Sequence, residues 1–71
     1  MKRDDINWCK NLFGSLKDGG LWAVPRSGLI YRRTGESLNL IQRLPDFDEA
    51  EQARDAEAIE THFRAAGINV Q

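Results

Sequence analysis

Between Gly20 and Pro45 the large apolar residues recur largely at every second position, and this stretch reads as a three-stranded meander with one apolar face. A first turn at Pro25-Arg26-Ser27-Gly28 and a second at Thr34-Gly35 would place Val24 opposite Leu29 and Trp22 opposite Tyr31. The same turns would set Tyr31 opposite Leu38 and Leu29 opposite Leu40, so that all six side chains share one side. Arg32, Ser37, Asn39 and Arg43 then fall on the other side.

Outside the meander the spacing changes to three and four. Ile6, Cys9, Leu12, Phe13 and Leu16 predict a helix from about Asp5 to Asp18, capped by Asp4 or Asp5 and stopped by Asp18-Gly19-Gly20. Trp8 sits beside this stripe and is expected to be half exposed. A second helix follows Leu44-Pro45-Asp46-Phe47, with Asp48 as its cap and Glu51 three residues on in capping-box position. Ala53, Ala56, Ile59, Phe63 and Ala66 form its apolar stripe, and Gly67 ends it with Ile68 closing on Phe63. Its first two turns offer only alanines to the core, which predicts a loosely attached segment or a contact surface. The expected fold is therefore α+β: one small domain spanning residues 1–71, in the order αβββα, with a three-stranded antiparallel sheet packed against two helices.

Length sharpens this picture. A chain of 71 residues is near the size at which one core gives only marginal stability, so a homo-oligomer is a possible state. Hydrophobic residues at 41% and charged residues at 30% exclude a disordered composition. No apolar run approaches the roughly 18 residues that span a bilayer, and MKRDDINWCK has no signal core, so the expectation is no membrane association and a cytoplasmic location. Cys9 is the single cysteine; alone it makes neither an intramolecular disulfide nor a zinc site, and its place on the apolar stripe predicts a core residue.

Charge is divided along the chain. Residues 1–45 carry eight Lys or Arg against four Asp or Glu, and residues 46–71 carry two against seven. The two halves either complement each other in packing or present one basic and one acidic surface. On the basic side, the Pro25–Gly28 turn could offer N–H groups, a hydroxyl and a guanidinium to an anion, with Arg32 and Arg43 extending that character. Arg33 is expected to pair with Glu36 across the second turn. On the acidic side, Glu49, Glu51 and Asp55 head the second helix and suit a basic partner. Those six residues, Arg26, Arg32, Arg43, Glu49, Glu51 and Asp55, are the candidate partner-binding positions.

Catalytic constellations are missing, because acid–base or nucleophilic chemistry needs a base within hydrogen-bond reach of its partner. His62 stands alone on an acidic helix and reads as a surface residue. The carboxylates of residues 48–60 lack the glycine-turn spacing of a calcium loop. The expectation is a non-enzyme with no cofactor and no metal.

The order helix, three strands, helix resembles the topology of double-stranded-RNA-binding domains over the whole chain. That family holds phosphates with a lysine-rich start to its second helix, whereas this sequence has Asp46, Asp48, Glu49 and Glu51 there, which points to a protein partner instead. The run Leu16-x-x-Gly19-x-x-Trp22-x-Val24-Pro25-Arg26-Ser27-Gly28, then Arg33-x-Gly35 and the segment from Leu38 to Pro45, resembles short proteins encoded by tailed bacteriophages. This resemblance covers roughly residues 10–68. It implies a non-catalytic interaction protein that binds a host macromolecule, such as an enzyme or a transcription or defence component, in the host cytoplasm. The alternative is a binder of phosphate-bearing ligands, nucleotide or nucleic acid, through Arg26, Arg32 and Arg43.

Overall fold

The computed structural model describes residues 2–71, with side chains from Asn7 onward. Its elements are α1 (Lys2–Ser15), β1 (Leu21–Val24), β2 (Leu29–Thr34), β3 (Ser37–Arg43), α2 (Glu49–Ala65) and β4 (Asn69–Val70). The chain is a small α+β fold with two helices and a four-stranded sheet in the order β1-β2-β3-β4. The meander is antiparallel, and β4 joins β3 in parallel through Ser37–Asn69 and Leu38–Val70. That fourth strand is absent from the sequence expectation, because two residues are too few to show any period.

The β1–β2 pairing is as expected, with Trp22 opposite Tyr31 and Val24 opposite Leu29. The β2–β3 register is not. Gly35 and Glu36 make the second turn, so Tyr31 faces Leu40 and Arg33 faces Leu38. Only the first of these two turn residues has a positive φ, 60° at Gly35, which is the II′ pattern with glycine in first place. The slip amounts to two residues and leaves Leu38 and Leu40 on the inner face, whereas a slip of one would have turned both outward. A bulge at Ile41 then adds one residue to β3 and sets Arg43 opposite Leu29.

Cys9 and Phe13 of α1, Leu29 and Tyr31 of β2, Leu38 of β3, and Ala56, Phe63 and Ile68 form the buried core. Trp22, Val24 and Leu40 complete the expected inner face but are only partly buried. Both helices cover this one face, with Cys9 and Phe13 supplying α1's share.

Helix α1 begins earlier and ends earlier than expected. It is already under way at Lys2, so Asp4 and Asp5 lie within it rather than before it, and their side chains and that of Ile6 fall outside the described residues. Its C-terminus is closed by Arg33, whose Nη1 donates to the carbonyls of Phe13 (2.9 Å) and Leu16 (2.8 Å). The same guanidinium lies 4.3 Å from the centre of the Phe13 ring and donates through Nε to Gly35 O. Arg33 therefore caps a helix from the inner face and does not pair with Glu36.

Helix α2 begins and ends where expected, although among the described residues no bond from Asp48 N to Glu51 completes the capping box. Asp48 accepts from Ala50 N at 2.8 Å, and Gly67, at φ 84°, carries the Schellman bonds Ile68 N to Phe63 O and Gly67 N to Arg64 O. Its first half is tied down by a residue the apolar pattern passed over. Gln52 is buried, and its Nε2 donates to Ser27 O at 2.8 Å and Leu44 O at 3.0 Å. An amide that satisfies two loop carbonyls anchors this segment where alanines could not.

Candidate functional site

Three elements leave a groove open to solvent at the β1 side of the molecule. Trp8 of α1 and Trp22 and Val24 of β1 form one wall and Ala58, Ile59 and His62 of α2 the other, with Pro25, Arg26 and Asp55 at one end. The groove holds about 390 Å³. It stays open where α2 presents the small Ala58 toward the half-buried Trp22 and Val24 of β1. The aromatic wall is well braced. Trp8 meets Trp22 edge-on at 5.8 Å, Trp22 stacks on Tyr31 at 5.6 Å, and both indoles pack against Phe63, at 6.2 and 5.6 Å. Trp8 nonetheless stays 53% exposed, in line with its expected position beside the stripe.

Fixed aromatic surface beside a few polar groups is the composition of protein-binding hot spots, in which Trp and Arg are over-represented. Trp8 and Trp22 supply that surface, and Arg26, Asp55 and His62 are the polar rim.

The six candidate residues do not form one basic and one acidic surface. Arg32 stays on the outer face opposite Asn39, but the Ile41 bulge carries Arg43 to the inner side, where it lines a second hollow with Phe47, Glu49 and Gln52. Arg26 lies beside Glu51, Arg54 and Asp55. Charges of opposite sign thus alternate around the start of α2, the complementary arrangement of the two halves. Only Arg26 and Asp55 reach the groove.

The Pro25–Gly28 turn forms as expected, but its main chain is occupied. Ser27 N and Gly28 N both donate to Val24 O, Gly28 O accepts from Leu44 N, and Ser27 O accepts from Gln52. Gly28 has a φ of 67°, and a Cβ there would run into the Phe47 ring. Ser27 Oγ is buried without a partner. Two of the turn's N–H groups are thus spent within it, and the Phe47 ring covers its back.

Among the described residues no three His, Cys, Asp or Glu side chains gather as metal ligands, and no helix is long and apolar enough to cross a membrane. Cys9 is a fully buried core residue and His62 is exposed, as expected of each. Tyr31 donates its hydroxyl to Glu60 Oε2 at 3.3 Å; burial, with the Glu60 charge beside it, raises its pKa well above the ordinary tyrosine value. Glu60 also meets Arg64 at 3.4 Å.

Trp8, Ile59 and His62 were not among the candidate residues. Trp8 carried a usable signal, a tryptophan off the apolar stripe of its own helix, whereas nothing local marks Ile59 or His62 as its neighbours. No family model, curated protein or solved structure matches the chain.

Proposed function

We propose that the chain is a non-catalytic interaction protein that engages a protein partner, a host protein if the chain is phage-encoded, by taking an apolar or aromatic side chain of that partner into the Trp8–Trp22 groove. The observation that carries this is a braced indole left half exposed over an apolar floor. An exposed tryptophan that only filled space would gain more by closing onto the core. Asp55 stands at the rim, and Glu49 and Glu51 lie beyond it toward the start of the same helix, where the three favour a basic flank on the partner and a faster encounter.

The test is parallel capture from host lysate by immobilised parent protein, by Trp8→Ala and by the triple change Glu49→Gln, Glu51→Gln, Asp55→Asn. A protein retained by the parent, lost with Trp8→Ala and retained more weakly by the triple variant is the expected result. The same capture undiminished by Trp8→Ala rejects the groove. Retention of DNA or RNA near physiological salt, abolished by changing Arg26, Arg32 and Arg43 to Ala together, would instead favour the phosphate-binding alternative.

A further inference from the structure

The β1 edge of the sheet has no strand beside it among the described residues. Gly20 O accepts from Arg33 N, and Trp22 and Val24 lie opposite Tyr31 and Leu29. Gly28 N donating to Val24 O shows that the Val24 carbonyl also points toward β2. Main-chain direction alternates along a strand, so the N–H and C=O of Leu21 and Ala23 point away from the sheet. Both residues are exposed, Leu21 to 60%. Leu21 and Trp8 are two of the three exposed large hydrophobic residues in the described chain, and they flank this edge from its two faces. No charged side chain and no bulge interrupts Leu21-Trp22-Ala23-Val24, the devices by which edge strands otherwise avoid pairing.

We propose that two copies of this chain pair through β1, antiparallel about a two-fold axis at Trp22, to make one continuous eight-stranded sheet. In this register Leu21 and Ala23 each exchange both main-chain hydrogen bonds with Ala23 and Leu21 of the second copy. Trp22 faces Trp22 of the second copy in the non-hydrogen-bonded pair, where side chains come closest. Pro25 has no N–H and ends the ladder. An isologous interface of this kind closes on itself and leaves no further β1 edge to recruit a third copy. A second copy is the occupant these features favour over an unrelated strand, because Leu21 and Ala23 supply both sides of the ladder about one axis and a chain of 71 residues has only a small core of its own to stabilise it.

The paired edge borders the groove and shares Trp22 with its lining, but the main-chain ladder rests on Leu21 and Ala23, which do not line it, so changes at these two residues test the pairing without altering the groove's walls. Sedimentation equilibrium of the whole chain, from micromolar to millimolar concentration, tests it with two variants. Ala23→Pro removes an outward N–H at a position where an edge strand tolerates proline. Leu21→Glu puts a carboxylate on the edge while facing Arg32 across β1–β2. The parent is expected to reach twice its 8.1 kDa mass, and each folded variant to associate at least about tenfold more weakly. Amides of Leu21 and Ala23 should be protected from hydrogen exchange in the parent at high concentration and exchange freely in Leu21→Glu. A parent that stays at 8.1 kDa throughout overturns the proposal, and so does a folded variant that keeps the dimer mass. If Ala23→Pro fails to fold, Leu21→Glu decides alone.

Discussion

Among the described residues the two margins of the sheet both leave main chain without a neighbouring strand, yet they are built differently. On the β3 side, β4 covers only Ser37 and Leu38, and from Asn39 to Arg43 the edge is open. That open half is broken by the Ile41 bulge and ends in the Arg43 guanidinium. On the β1 side, Leu21 to Val24 is unbroken and uncharged, with Trp8 and Leu21 exposed around it. A bulge and a charge re-aim or solvate edge donors, so the β3 margin carries devices against strand pairing that the β1 margin lacks. The comparison teaches that open main chain alone does not mark an interface; the side chains and the regularity of the strand decide.

The most damaging way to break this contrast is from beneath. Phe63 is fully buried, and both Trp8 and Trp22 rest on it. Phe63→Ala should cost about 3–5 kcal/mol, close to the whole stability of a domain this small, and urea denaturation should find the chain largely unfolded. An unchanged midpoint would mean that the aromatic cluster does not hold the β1 margin together.

Next in size is the clamp that Arg33 places on α1. Arg33→Ala leaves the carbonyls of Phe13 and Leu16 without their donor and should cost about 1–3 kcal/mol in the same measurement. Arg33→Lys should recover little, since an ammonium cannot reproduce the flat fork that bonds several carbonyls while stacking on Phe13. Wherever the variant is folded, its self-association through β1 should match the parent's.

A smaller effect is expected at Tyr31, whose hydroxyl bond to Glu60 is long at 3.3 Å. Tyr31→Phe should change stability by no more than about 1 kcal/mol at neutral pH. The pH dependence is more telling. Because the folded state raises the Tyr31 pKa, the unfolded chain ionises first, and stability should fall as pH rises past about 10. In Tyr31→Phe that alkaline fall should be flatter.

The smallest change in stability goes with the sharpest comparison of the margins. Leu21 and Ile41 are both more than half exposed, at 60% and 51%, so Leu21→Glu and Ile41→Glu should each alter folding by less than about 0.5 kcal/mol. Only the first should abolish the dimer mass in sedimentation. Loss of the dimer in Ile41→Glu instead would move the interface to the β3 margin.

The α+β class, both helices, the three strands of the meander, the ends of α2 and the β1–β2 register were legible in the sequence. Each depends on local chemistry: a period of two or of three to four, a glycine with positive φ, an aspartate with a free N–H to accept from. What the tertiary structure decided depends on residues distant in the chain. Arg33 became a helix cap because its guanidinium found carbonyls on α1, and Gln52 an anchor because two loop carbonyls converged on it. Arg43 left the arginine face because one bulge residue reversed the alternation, which no count along β3 foretells. The groove is the clearest case. Trp8, Trp22 and Ile59 come from three elements and meet only after the sheet and helices have packed, so their conjunction is a property of the assembled core rather than of any segment.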